Sequence, residues 1–179
     1  MHSHPMPIKS QSFNLHELLD PVLSFERSSH PGLRFTAYYD ASLPDIEADR
    51  DKLHQVFLNL VRNASEACPA DGRVRVLTRH CAHWELAGTN LDPTRRYILV
   101  SIEDEGPGIP EELRKNIFKP LFSTKKQGTG LGLSISFRLV ESHGGQLRYQ
   151  PSERSGACFQ VILPESQSCL LYTSPSPRD

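Results

Sequence analysis

From Asp49 to Cys68 the apolar residues Leu53, Val56, Phe57, Leu60, Val61 and Ala64 recur three and four apart, which draws one apolar stripe along a helix. A helix with a single apolar side must lay it on a core. The chain has 179 residues, enough for one domain with such a core and a short flanking element. Asp49 and Asp51 suit the amino-terminal end of the helix, and Pro69-Ala70-Asp71-Gly72 stops it. At about 100° per residue, Asn59 and Asn63 stack one turn apart, roughly 90° from the centre of the stripe. They line its edge, placed to face a cleft.

The remaining pattern alternates between strand and helix signals. Phe13 to Phe25 carries Phe13, Leu15, Leu18, Leu19, Val22 and Phe25 at mostly helical intervals, with Pro21 as a kink. His30-Pro31-Gly32 is a turn, and Leu33 to Tyr39 reads as a strand rich in aromatic residues. Arg73 to Arg79 and Tyr97 to Glu103 read as strands, the second with Ile98, Val100 and Ile102 on one face. The polar stretch from His80 to Arg96 between them is a hairpin extension or long loop. Glu111 to Phe118, after Pro110, reads as a short helix, and Lys119 to Gly130 as a mobile loop without apolar period. Leu131 to His143 reads as a helix closed by Gly144-Gly145, and Gln146 to Gln150 with Cys158 to Leu163 as a final hairpin. Residues 1–12 are expected to be disordered, 13–164 to form the domain, and 165–179 to be a disordered tail foreign to it.

Bulk properties exclude several functions. A net charge of −1 gives no electrostatic case for nucleic acid. No apolar run approaches the ~20 residues of a membrane span, and the amino terminus lacks a secretory signal core, so the expected location is the cytoplasm. Cys68, Cys81, Cys158 and Cys169 form no Cys-x-x-Cys pair and read as reduced, mostly buried thiols. His2 and His4 near the start are too few for a metal site.

Three segments carry chemistry together. Asn63 offers a neutral amide oxygen that suits Mg²⁺ while leaving room for phosphate oxygens and waters. Asp104, at a strand end, is followed by Gly106 and Gly108, which let a flat ligand approach the backbone. Its carboxylate can accept a hydrogen bond from an adenine amino group, with Ile109 packing on the ring. Gly128, Gly130 and Gly132 fit neither the G-x-x-x-x-G-K-[ST] nor the G-x-G-x-x-G pattern. They do precede the amino terminus of an apolar helix, whose free N–H groups favour phosphate, and Lys125 and Lys126 stand just upstream. A carboxylate, two stacked amides and a glycine-rich lid outline a site for ATP.

In order, Asn59-Leu60-Val61-Arg62-Asn63-Ala64, Asp104-Glu105-Gly106-Pro107-Gly108-Ile109, Phe118-Lys119-Pro120-Leu121-Phe122-Ser123-Thr124-Lys125 and Gly128-Thr129-Gly130-Leu131-Gly132-Leu133 resemble the N, G1, F and G2 boxes of sensor histidine kinases. The resemblance covers roughly Leu15 to Pro164. It implies the Bergerat, or GHKL, fold: an α+β two-layer sandwich of a mixed sheet with helices on one face and a glycine-rich ATP lid. It also implies Asn59 and Asn63 as catalytic residues, Asn63 on Mg²⁺, Asp104 on adenine, and a lid from Lys125 to Gly132 over the phosphates. Gly106, Gly108, Ile109, Phe118, Thr124, Lys125, Gly128, Thr129, Gly130, Leu131, Gly132 and Leu133 complete the implied ATP contacts. Tyr39-Asp40-Ala41-Ser42-Leu43-Pro44, Gln55-Val56-Phe57-Leu58-Asn59 and the insertion before Tyr97 look like the nitrogen-regulation sensor kinases of the NtrB type.

Two departures bear on function. Glu105 stands where Asn commonly follows the adenine Asp. No His-Glu-x-x-Asn-Pro-like acceptor box occurs, since His16-Glu17 continues Leu18-Leu19-Asp20. The chain thus resembles a catalytic domain cut from its dimerisation and phosphoacceptor domain, a monomer expected to bind ATP without phosphorylating itself. Its implied partners are that missing domain, an NtrC-like response regulator and a PII signal protein. The hydrolysing members of the superfamily, of gyrase, Hsp90 and MutL type, place a Glu base where Asn59 stands, and an amide cannot take a proton from water at neutral pH. Weak hydrolysis is therefore expected, with the γ-phosphoryl passed in line to a histidine nitrogen. An anti-sigma-type serine kinase, or an ATP-sensing module without chemistry, is the alternative on the same fold.

Overall fold

The computed structural model describes residues 7–120, 132–152 and 156–166. Seven strands and three α-helices alternate as β1 (Gln11–Phe13), α1 (Leu15–Ser29), β2 (Arg34–Tyr38), β3 (Ile46–Ala48), α2 (Arg50–Ala67), β4 (Arg73–His80), β5 (Tyr97–Asp104), α3 (Gly132–Ser142), β6 (Gln146–Pro151) and β7 (Ala157–Pro164). Short 3₁₀ segments span His83–Leu86 and Glu111–Asn116.

The main sheet has the order β2-β4-β5-β7-β6. Strands β2 and β4 run parallel and the other neighbours antiparallel, so β5 and β7 are central and β2 and β6 form the edges. All three helices lie on one face, α2 between α1 and α3. On β5 the alternation works as the sequence suggests: Ile98, Val100 and Ile102 are fully buried against the α2 stripe of Leu53, Val56, Phe57, Leu60 and Val61. Asp104 continues the same alternation and so ends up on the helix side of the sheet.

The helix ends are fastened by side chains. Asn14 caps α1 by accepting from the His16 N–H at 2.8 Å, and Asp49 caps α2 by accepting from the Lys52 N–H at 3.2 Å. The Asp49 N–H in turn donates to Nε2 of buried His143, whose Nδ1 donates to the Leu139 carbonyl, at 3.0 and 2.8 Å. The end of α3 is thereby tied to the start of α2.

Several boundaries differ from the sequence reading. Gln11–Phe13 is a strand paired antiparallel with Ile46–Ala48, and the Lys9 N–H donates to Asp49 at 2.8 Å, so the disorder expected of residues 1–12 does not extend over 7–12. Each of these strands is three residues long, too short to show an alternation. Phe13 belongs to that strand, not to α1, which runs on past Phe25 to Ser29. The segment read as a helix from Glu111 is a 3₁₀ turn ending at Asn116. Glu165 and Ser166, assigned to the tail, are buried, with the Glu165 N–H bonded to the Arg96 carbonyl at 3.0 Å. The remainder of the tail, the first six residues with His2 and His4, Cys169, and residues 121–131, which include all of the expected Lys125 to Gly132 lid but Gly132, lie outside the described residues.

The 80–96 stretch covers the face of the sheet opposite the helices. Leu86 from its 3₁₀ turn packs with Tyr97, Leu99 and Ile162 in a second, smaller core. Cys68, Cys81 and Cys158 are free thiols, and burial pushes all three up, Cys81 to about 11. Among the described residues no helix is long and apolar enough to cross a membrane.

Candidate functional site

Asp104 closes β5 with its carboxylate buried on the helix side. Its Oδ1 accepts from the Gly106 N–H at 2.7 Å and from the Ala157 N–H at 3.4 Å. No hydrogen bond among the described residues uses Oδ2. Burial raises the Asp104 carboxyl above the usual carboxylate range, and the two backbone N–H groups offset part of that rise. A buried acceptor with one oxygen engaged suits recognition of an N–H donor.

The loop after Asp104 approaches its neighbours closely enough that glycine is required. A Cβ on Gly106 would lie 2.4 Å from the Ala67 carbonyl oxygen, and Gly108 has φ +78° with a would-be Cβ 3.0 Å from the Gly156 carbonyl oxygen. The first contact presses the loop onto the carboxyl end of α2. One turn earlier on α2 lies Asn63, half-buried, and one turn earlier again Asn59.

Asn59 is turned towards the start of α3. Its Nδ2 donates to Ser136 Oγ at 3.2 Å, and a Cβ on Gly132 would fall 2.5 Å from Asn59 Oδ1. Positions 59, 63 and 67 are thus successive turns of one side of α2, about 6 Å apart along the axis. The first meets the head of the lid helix, the last meets the loop beside Asp104, and Asn63 stands between them.

Ile109, Phe118 and Leu133 pack part-buried on the main core. Phe118 stacks on Phe137 at 4.9 Å and meets Phe159 edge-on at 6.2 Å. With Arg114, Phe137, Arg148 and Tyr149 it walls an open concavity of about 430 Å³ between α3 and edge strand β6. Phe118 thus both packs on the core and lines this concavity. Thr124, Lys125, Gly128, Thr129, Gly130 and Leu131 belong to the stretch outside the described residues.

Residues 48–167 match the family of histidine kinase-, DNA gyrase B- and HSP90-like ATPases. The chain belongs to this family. The sensory histidine kinase/phosphatase NtrB of Azospirillum brasilense is 35% identical over 98% of this chain and 44% of its own length. The chain thus spans less than half the length of the curated relatives it matches first. Among solved structures, the catalytic domain of histidine kinase ThkA superposes with a TM-score of 0.76 at 32% identity, covering 90% of this chain and 99% of that one. ThkA in complex with the response regulator protein TrrA matches with a TM-score of 0.69 at 31% identity, covering 89% of this chain and 42% of that one. The mixed five-stranded sheet with helices on one face is the α+β fold of histidine kinase catalytic domains, and the family is one of ATP-binding enzymes.

Of the residues read from sequence, Asp104, Gly106, Gly108 and Ile109 share one loop, and the structure brings Asn59 against Gly132 across two helices, a contact the sequence reading did not make. It missed Tyr149, Arg114 and Ala157, which touch that loop. Tyr149 stands 40 residues from its hydrogen-bond partner Ile109, and its strand carries no motif. Only the pairing of β6 with β7 brings it there.

Proposed function

We propose that this chain is the domain of an NtrB-like sensor kinase that binds Mg-ATP and delivers the γ-phosphoryl group to a histidine on a separate dimerisation segment. The observation that carries this reading is the alignment of Asn59, Asn63 and Ala67 on one side of α2, spanning from the head of α3 to the loop beside Asp104. In this reading the end beside Asp104 serves the base and the end at α3 the phosphates.

Asp104 Oδ2 accepts the adenine amino hydrogen, Gly106 and Gly108 let the ring approach, and Ile109 packs on it. Asn63 supplies one neutral oxygen ligand to Mg²⁺. This donor fits: among the described residues no cluster of three His, Cys, Asp or Glu side chains gathers to form a protein cage, and Mg²⁺ typically takes few protein ligands beside phosphate oxygens and waters. The ion, when bound, neutralises charge on the phosphates. Asn59 orients the site by bonding Ser136 beside Gly132, Phe118 and Thr124 contact the nucleotide ahead of the lid, and Lys125, Gly128, Thr129, Gly130, Leu131 and Gly132 form the lid over the phosphates, with Leu133 seating its helix. Lacking a carboxylate at position 59, the chain hydrolyses ATP weakly and reserves the phosphoryl for an oriented imidazole, with positioning as the main source of rate. The receiving histidine passes the group to an NtrC-like response regulator, and a PII-type protein acts on the lid, in the cytoplasm.

Calorimetry of Mg-ATP binding to the wild type, Asn63→Ala and Asp104→Ala tests the site, followed by labelled ATP with a separately expressed NtrB-type acceptor hairpin. Binding that is lost in both variants, with label passing to a histidine, is expected. Binding without transfer favours a nucleotide-sensing module, and no binding overturns the reading.

A further inference from the structure

Ile109 is held at both ends of its backbone by side chains from other parts of the chain. Its N–H donates to the Tyr149 hydroxyl at 3.1 Å, and its carbonyl accepts from Arg114 Nε at 2.9 Å. The two side chains also brace each other, with the Arg114 guanidinium 5.4 Å over the Tyr149 ring. Tyr149 is fixed in turn by an edge-to-face contact with Phe159 at 5.5 Å, in a strand of the sheet interior. A Cβ on Gly108 would already sit 3.4 Å from the tyrosine oxygen.

We infer that Tyr149 and Arg114 form a clamp that sets the distance between the Gly106–Ile109 loop and Asp104, and so act as positioning residues for recognition of the nucleotide base. This rests on the reading of Asp104 as the acceptor for an adenine amino group. The loop contains two glycines and would be free to sample many conformations. Its near end is pinned by the Gly106 N–H to Asp104 and its far end by the clamp. A base lying between Asp104 and Ile109 therefore meets a gap of fixed width. Among the described residues, the side-chain hydrogen bonds and ring contacts of Tyr149 and Arg114 run to Ile109, Phe159 and each other, so the clamp is expected to act at the base.

Binding of ATP and of purine riboside triphosphate, which lacks the 6-amino group, separates this role from general support of the fold. Tyr149→Phe keeps the ring and removes only the hydroxyl. It is expected to weaken ATP about fivefold, the cost of one lost hydrogen bond, while changing purine riboside triphosphate by less than about twofold. Arg114→Gln should shift the same ratio. The double variant should lose less than the product of the two, because both act on one peptide. Thermal melts establish that each variant is folded. Equal loss of both nucleotides, or an unchanged ratio in both variants, overturns the clamp. Asp104→Ala is the control: if it abolishes the preference for ATP while Tyr149→Phe does not, the clamp alone fails. If Asp104→Ala leaves the preference intact, the base-site reading fails and the clamp with it.

Discussion

The two faces of the sheet use their polar groups in opposite ways. On the helix face, Asp104 keeps one carboxylate oxygen clear of the hydrogen bonds among the described residues, and Asn63 stands half-buried on α2. On the other face, polar groups pair with one another. Arg79 makes a bidentate pair with Glu85 at 2.8 and 2.7 Å, Arg148 bonds Gln160 and the Glu85 carbonyl, and Arg75 lies 3.6 Å from Glu103. On the helix face Asp104 has an oxygen with no bond among the described residues, and on the other face these side chains tie neighbouring strands and the 80–96 stretch together. Substitutions on the first should therefore be read in nucleotide affinity, and on the second in stability.

Gly106→Val is the strongest way to break this contrast. The added Cβ meets the Ala67 carbonyl, a backbone atom that cannot rotate aside, so the loop must leave α2 and carry its hydrogen bond to Asp104 with it. Overpacking of this kind costs about 1 to 3 kcal/mol, and where it falls on the bound geometry the upper end corresponds to roughly hundredfold weaker ATP binding. Calorimetry with a denaturant melt on the same sample checks both. A variant that melts early yet binds ATP normally would show that the loop position is irrelevant to the site.

Acidification gives a smaller and signed effect. Burial, the main cause, raises the Asp104 carboxyl, so its protonation adds to the stability of the free protein at low pH, and that contribution is lost as pH rises through the raised value. Acceptance of an adenine N–H favours the carboxylate, so ATP binding should release a proton near that pH. Below it, affinity should fall by up to about tenfold per pH unit. Binding in buffers of different ionisation enthalpy measures the proton, and Asp104→Asn should flatten the profile. An affinity that is flat in the wild type would remove Asp104 from direct contact with the ligand.

The helix face was the more readable in sequence, for a physical reason. Its elements are long enough to repeat: α2 draws its stripe from Leu53 to Ala64 over about three turns, and Ile98, Val100 and Ile102 alternate on β5. The opposite face has one apolar cluster, built from Leu86, Tyr97, Leu99 and Ile162, whose members come from three segments and show no common period. Leu99 reads as an outward residue until Leu86 is folded over it. The site divides likewise. Asp104, Gly106 and Gly108 are adjacent in sequence and announce a tight loop, and the spacing of Asn59 and Asn63 follows from helix geometry. Asn59's turn towards Gly132 and Ser136, and the grip of Tyr149 and Arg114 on Ile109, depend on how α3 and β6 dock. No local pattern encodes that.

Glu85→Gln probes the face away from the site and should have the smallest effect. Glu85 is almost fully buried, and its bidentate hydrogen bonds from Arg79, with burial opposing and the Ala82 N–H assisting, lower it from its ordinary 4.5 to about 2. A depressed carboxyl contributes stability that is present above its unfolded value and lost as pH falls towards 2. The amide keeps one acceptor for Arg79 but turns a donor towards it in place of the second oxygen. Since Arg79 is 39% exposed, water offsets part of the loss, and the expected cost is about 1 kcal/mol at neutral pH. Denaturant melts should show the gap between wild type and variant closing as pH falls from 4.5 through 2, as the wild type loses its charge. ATP affinity should not move. The 3₁₀ turn of His83–Leu86 and the Asp104 loop lie on opposite sides of the sheet, with Arg148 of β6 bonded to the Glu85 carbonyl as one physical link between them, so a shift in affinity without a change in melting would mean that the two faces are coupled and that their division of labour is incomplete.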